Sequence, residues 1–331
     1  MQDIQTHIEQ VSIQIQEIQN SISQTIVGQH HLIRNMVISL LARWHLLVEW
    51  APWLAKTLSV ETLAKNIWVD FSRIQCTPDL LPSDLIGTEI RQSHKNTFVT
   101  VKGPIFAHLV LVDEVNRAPA KLQSALLESM EERQVTIGNK TYILAEPFVV
   151  MATMNPVDHD GTYKLPQAQL DRFLMHTKLE YPTTIEEIEI LKRFWWKSNR
   201  KDISTASLHG QDILDMQQII DQVLVSESIH IYIQKIVSST RPHSSPVSDL
   251  SRYIQKYVQY GASPRASLWI LKAAKVIAVM NQRAFVIPED IQSVVHDVLR
   301  HRLVLTFDAL SESVSSDDIV HKLISEIVVI K

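Results

Sequence analysis

Four consecutive apolar residues, Leu109–Val112, lead into two adjacent carboxylates, Asp113 and Glu114, in the run HLVLVDEVNR. A run that short and apolar reads as a strand buried on both faces, the kind found in parallel sheets covered by helices. Carboxylates at the C-terminal end of such a strand lie where open α/β sheets bind their ligands. A second stretch, HLLVEWAPWLAKT (45–57), has the matching form: an apolar run, a Pro-containing loop, then Lys56-Thr57 opening a helix. A Lys-Thr pair at a helix N-terminus and an Asp-Glu pair at a strand end are the two halves of a nucleoside-triphosphate site.

The rest of the chain supports a parallel sheet. Strands are expected at His45–Glu49, Phe71–Cys76, Leu109–Val112 and Phe148–Thr153, with helices at Lys56–Ile67 and Ala120–Glu132. Strands alternating with helices imply a sheet covered on both faces. Thr77 to Phe106 reads as a loop with room for a short helix or strand, and QVTIGNKTYIL (134–144) as a hairpin around Gly138-Asn139. Beyond Tyr181-Pro182 the apolar spacing is helical in six successive segments, from Ile185–Phe194 to Pro288–Arg302. Ahead of all this, Ile4, Ile8, Val11, Ile15, Ile18 and Ile22 form a heptad seam on a Gln-rich helix. With so few heptads, that helix is expected to pack on the main domain rather than form a coiled coil. The expected division is an N-terminal amphipathic helix (1–24), an α/β nucleotide-binding domain (25–182) and an all-α domain (183–331).

Composition narrows the setting. A formal net charge of −4 argues against a broad nucleic-acid surface. The lone Cys76 cannot form an intramolecular disulfide and reads as a small apolar core residue in a reducing compartment. No stretch has the ~18 apolar residues of a spanning helix, and MQDIQTHIEQ lacks the basic flank and apolar core of a signal peptide. A cytoplasmic location is the expectation.

Each candidate residue has a chemical reason. Backbone N–H groups of the loop Trp50, Ala51, Pro52, Trp53, Leu54 and Ala55, with Lys56, would hold phosphates, and the Thr57 hydroxyl would ligate Mg²⁺. Asp113 would hold the metal, and Glu114 would orient and deprotonate the attacking water. Asn155, at the end of FVVMATMN, offers a neutral amide for that water or the γ-phosphate. Arg172 in QLDRF and Arg265 in GASPRAS are candidates for stabilising charge on the transferring phosphoryl group. Asp158-His159-Asp160 are consecutive and read as a solvated loop rather than a metal site.

Several long segments, in order, carry a resemblance: RIQCTPDLLPSDLIGTEI (73–90), GPIFAHLVLVDEVNRAPAKLQSALLESMEERQVTIG (103–138), ATMNPVDHDGTYKLPQAQLDRF (152–173) and GASPRAS (261–267). Together the chain resembles the MoxR family of AAA+ ATPases over about residues 25–305. The resemblance implies an αβα sandwich with a parallel sheet, an all-α lid, and ATP and Mg²⁺ as ligands. It assigns Lys56 and Thr57 to Walker A, Asp113 and Glu114 to Walker B, Asn155 to sensor 1, Arg172 to the arginine finger and Arg265 to sensor 2. It further implies a homo-oligomeric, hexameric ring, von Willebrand factor A-type partners, and chaperone-like remodelling or maturation of partner complexes. Residues 79–106 and 134–144 look like the helix-2 insert and pre-sensor-1 hairpin of that clade. A DNA motor of the neighbouring minichromosome-maintenance-like clade fits the acidic balance less well.

One departure is specific. The family loop reads E-G-x-P-G-x-A-K-T, whereas this chain has Trp50 and Trp53 at the glycine positions, and Trp44 and Trp68 also fall where relatives commonly carry glycine. An indole brings ~150–250 Å² of surface to a place where glycine lets backbone close on phosphate. Two accounts follow. Taken literally, the chain is a catalytically silent, ring-forming scaffold. Alternatively, codons read as glycine in some bacterial codes have been written as tryptophan. The second is favoured, because Lys56, Thr57, Asp113, Glu114, Asn155, Arg172 and Arg265 all stand and the chain has only 7 glycines in 331 residues.

Overall fold

The computed structural model describes residues 2–49, 56–92, 97–155, 163, 165–196, 208–242 and 248–327. The phosphate-loop residues Trp50, Ala51, Pro52, Trp53, Leu54 and Ala55, and the Asp158-His159-Asp160 run, lie outside them.

The chain begins with α1 (Gln2–Thr25), whose expected seam is inside from its second member on: Ile8, Val11, Ile15, Ile18 and Ile22 are buried, and Ile4 is half-buried. The seam thus packs within this one chain. A break at Gly28-Gln29, both with positive φ, leads into α2 (His30–Leu41). Then follow β1 (Leu46–Glu49), α3 (Lys56–Asn66), β2 (Phe71–Gln75), α4 (Pro82–Ile86), β3 (Gly87–Gln92), β4 (Thr97–Lys102), β5 (Leu109–Asp113), α5 (Ala120–Glu132), β6 (Gln134–Ile137), β7 (Lys140–Ile143), β8 (Val149–Met154), α6 (Gln167–Leu170) and β9 (Met175–Lys178). The helical part comprises α7 (Thr184–Trp196), α8 (Gly210–Asp221), α9 (Glu227–Ser239), α10 (Asp249–Tyr257), α11 (Pro264–Met280), α12 (Pro288–Leu299), α13 (Phe307–Ser311) and α14 (Ser316–Glu326). Short strands β10 (Val258–Tyr260) and β11 (Val304–Leu305) pair antiparallel within it.

The chain divides into two compact units. One holds residues 15–165 and 177–215; the other holds residues 1–14, 166–176 and 216–331.

The first unit is organised by a five-stranded sheet in the order β2-β5-β8-β1-β9. The pairs β2–β5, β5–β8 and β1–β8 are all parallel. All five residues of β5 are buried, and five of the six residues of β8, as strands with helices on both faces require. His45, just ahead of β1, is buried among them. Its Nδ1 accepts from the Val150 N–H at 2.9 Å, so Nε2 carries the proton and donates to the Met130 carbonyl at 3.0 Å. Burial, the dominant cause, drives its pKa from 6.5 down to about 3.

The region expected to be a loop with room for one short element holds more. It contains α4 and an antiparallel hairpin, β3–β4, running in register from Gly87↔Lys102 to Gln92↔Thr97. Ile90, Phe98, Val99 and Val101 on it are exposed. Its base is a close backbone crossing: a Cβ on Gly87 (φ 98°) would stand 2.1 Å from the Val101 carbonyl oxygen, and one on Gly103 2.3 Å from that of Leu85. The 134–144 hairpin forms as expected, β6 pairing β7 around Gly138.

In the second unit, helices α9, α11, α12 and α14 surround a core that includes Tyr232, Ile236, Ile270, Ile277, Val294 and Leu323. Pro288 opens α12 as expected, and Asp290 receives a bidentate ion pair from Arg283.

Candidate nucleotide site

The parallel register sets the C-terminal ends of four strands side by side. Glu49 of β1 aligns with Met154 of β8, Val112 of β5 with Ala152 of β8, and Gln75 of β2 with Asp113. Glu49, the last residue of β1, therefore lies at the edge where β5 presents Asp113. Lys56 is the first residue of α3, and Thr57, half-buried, is the second.

Asp113 is the most constrained group at this edge. Its side chain is 2% exposed and fully engaged. Arg73, from the neighbouring strand β2, donates through Nε to Oδ2 at 2.8 Å. Thr153, from the strand on the other side, donates its hydroxyl to Oδ1 at 3.1 Å. The same Thr153 oxygen accepts the Glu114 N–H at 2.9 Å. A single hydroxyl thus links the two acids and fixes the backbone between them.

That backbone is unusual. Glu114 has φ 56°, ψ 50°, the left-handed region, which costs a non-glycine residue about 1–2 kcal/mol. Such a conformation at a sheet edge is a typical mark of a functional position. It turns the Glu114 carboxylate toward Arg117, at 3.2 Å from Nε. Asn155 follows β8 directly, and its carbonyl accepts from Asn116 Nδ2 at 3.2 Å, joining the segment after Glu114 to the end of β8. Cys76 is buried beside this edge as expected; burial first, then Asp113 and Glu114, push its thiol up to about 12, so it stays a neutral core group.

Lys56, Thr57, Asp113, Glu114 and Asn155 all belong to the sheet-bearing unit, at its C-terminal edge. Arg172 and Arg265 belong to the helical unit: Arg172 follows α6, and Arg265 is the second residue of α11. Two participants escaped the sequence reading, Arg73 and Thr153. A lone arginine inside FSRIQC and a threonine next to the end of FVVMATMN were the available signals, but their partner becomes evident only once the strands are in register.

The donors suit a magnesium-bound triphosphate. A buried carboxylate already facing a cation, and a hydroxyl at a helix start, are hard oxygen ligands of the kind Mg²⁺ takes, with water and phosphate completing the shell.

A parallel sheet of this order, with a helix start and twin acids on one edge, followed in sequence by a mainly helical segment whose only strands among the described residues are the short β10–β11 pair, defines an AAA-type αβα nucleotide-binding fold with a helical lid. Residues 45–175 match the family described as ATPase family associated with various cellular activities (AAA), and residues 251–323 match the AAA lid domain. The chain is 44% identical over 308 residues to Chaperone MoxR1 of Mycobacterium tuberculosis, covering 92% of this chain and 80% of that protein. It is 41% identical over 306 residues to the uncharacterized protein YeaC of Bacillus subtilis, covering 92% of each. The crystal structure of a protein assigned as an ATPase from Cytophaga hutchinsonii superposes with a TM-score of 0.91 at 42% identity, covering 100% of this chain and 98% of that one. The chain belongs to the MoxR family of AAA ATPases.

Proposed function

We propose that this chain binds ATP with Mg²⁺, hydrolyses it to ADP and phosphate, and uses the cycle to remodel or mature partner protein complexes. The observation that carries the reading is the Asp113–Thr153–Glu114 linkage at the C-terminal edge of the parallel sheet, beside the start of α3. Lys56 and the loop before it hold the phosphates. Thr57 and Asp113 hold the metal, which when bound supplies positive charge to the β- and γ-phosphate oxygens. Glu114 orients a water and takes its proton as the water oxygen bonds to the γ-phosphorus and the bond to the bridging oxygen breaks. Asn155 fixes the same water from the adjacent strand end. Arg172 acts as arginine finger and Arg265 as sensor 2, roles that rest on the family pattern.

The assembly we propose is a hexameric homo-oligomer working in the cytoplasm with a von Willebrand factor A-type partner. Among the described residues no helix is long and apolar enough to cross a membrane. Nucleic acid is not the proposed client, given the net charge of −4.

Trp50 and Trp53 are read as glycine in the native chain. Support comes from Trp68, another family glycine position: it has φ 48° and is 64% exposed, a left-handed, solvent-facing site natural to glycine and strained for an indole. Two measurements test the whole reading. Mass spectrometry of the native peptide spanning residues 44–56 reports glycine or tryptophan, and ATPase assays of native protein against Lys56→Ala and Glu114→Gln report the site. Tryptophan masses with no ATP retention under saturating Mg²⁺ would leave a ring-forming scaffold instead.

A further inference from the structure

Outside the nucleotide edge, among the described residues, the guanidinium of Arg302 stands out: it lies in the helical unit, 1% exposed and heavily hydrogen-bonded. Arginine has five N–H donors, and here each has an oxygen. Nε donates to Asp171 Oδ1 at 2.7 Å. One terminal nitrogen donates to the Asp171 carbonyl at 2.9 Å and to that of Phe173 at 2.5 Å. The other reaches the Leu174 carbonyl at 3.2 Å, that of Val298, and the His301 ring Nε2 at 2.8 Å. Four of the five oxygen acceptors belong to residues 171–174, so the backbone is clamped on both sides of Arg172.

The same carboxylate reaches a second place. Asp171 Oδ2 accepts from the Ser263 hydroxyl at 2.9 Å, and Ser263 is the N-cap residue of α11, two positions before Arg265. Trp269, one turn further along α11, donates from its indole to the Asp171 carbonyl at 3.4 Å. The neighbouring His301 ring meets the Phe173 carbonyl, and the Gln167 side chain donates to the His301 carbonyl at 2.6 Å. The whole 167–174 segment is thus bound to residues 263–269 and 298–302 of its own unit.

We propose that Asp171 and Arg302 are positioning residues that hold Arg172 and Arg265 on one frame, so that the two arginines are presented together. The inference deepens the proposed ATPase reading and rests on it for the roles of the two arginines. Burying a guanidinium is expensive, and replacing a whole buried ion pair by well-packed apolar groups is often neutral or stabilising. A fully coordinated buried arginine is therefore better explained by geometry fixed than by stability gained. Lysine, with three donors and no planar fork, cannot reproduce the clamp.

The test uses the full chain carrying Arg302→Lys, Asp171→Asn or Ser263→Ala, the last removing a single hydrogen bond and leaving the core intact. Hydrogen exchange on peptides covering residues 167–174 and 263–269 reads the frame directly. Exchange about tenfold faster in both peptides is expected. Steady-state hydrolysis reads the consequence: kcat falls about tenfold or more, in line with ångström-scale misplacement, while KM holds within about twofold. Combined with Arg172→Ala and Arg265→Ala together, Asp171→Asn adds no further loss. Unchanged exchange in all three variants, or a loss that multiplies with that of the Arg172→Ala/Arg265→Ala pair, overturns the proposal. If Arg172→Ala and Arg265→Ala themselves hydrolyse ATP at the parent rate, the assigned roles of the arginines fall. The exchange data still decide whether the frame exists.

Discussion

Acid should weaken this protein through His45, which sits just ahead of the strand that delivers the phosphate loop. In the folded chain the imidazole is held neutral: Val150 N–H points at Nδ1, and a proton there would face a donor with no acceptor. Its pKa is about 3 when folded against 6.5 as the ordinary value. Below pH ~6.5 the unfolded chain takes up a proton that the folded chain refuses until about pH 3, so stability is complete above that window and declines as pH falls through it. Linkage then gives a loss of about 1.4 kcal/mol on going from about pH 7.5 to about pH 5.5, and about 2.7 kcal/mol by about pH 4.5. With an m-value of about 3 kcal/mol/M for a chain of this size, the first step moves a urea midpoint by about 0.5 M. The assay is urea unfolding without nucleotide, comparing parent with His45→Gln, which cannot titrate. The variant starts less stable but should lose about 1.4 kcal/mol less than the parent over the same interval. Equal pH slopes in parent and variant would refute the buried neutral imidazole.

Other outcomes follow from the same geometry. Glu114→Gln should cut phosphate release by about 100-fold or more while a fluorescent nucleotide binds within about twofold of the parent affinity. Arg73→Ala removes the half-exposed cation from buried Asp113 and should cost about 1 kcal/mol in the nucleotide-free state, read by thermal unfolding. Added Mg²⁺ and ADP should narrow that deficit, since a second cation then faces the carboxylate. Trp68→Gly relieves a left-handed indole and should raise stability by about 0.5 kcal/mol or more, seen as a higher Tm.

The legible parts of the fold were those whose side chains carry a single strong pattern. β5 and β8 announce themselves as unbroken apolar runs because both faces are covered. The α1 seam is legible because its spacing follows one helical stripe. β3 and β4 were missed because residues on both faces meet solvent, so no alternation marks them. β9 was missed for the opposite reason. Its MHTK reads as polar, yet His176 and Thr177 are buried, and the Thr177 hydroxyl accepts from Asn35 Nδ2 at 2.8 Å. At the site, the acids were legible as a pair, whereas Arg73 and Thr153 become partners of Asp113 only through strand register.

The crossing of Gly87 and Gly103 has a consequence for how this protein can diversify. Neither position tolerates even a methyl group, because each backbone lies against the other's flanking carbonyl. The arm built above them is thus bolted at its root, while its greasy outer strands, with Phe98 67% exposed, are open to revision. Sequence change can accumulate residue by residue on the exposed flanks of that arm, provided the bolt is left alone.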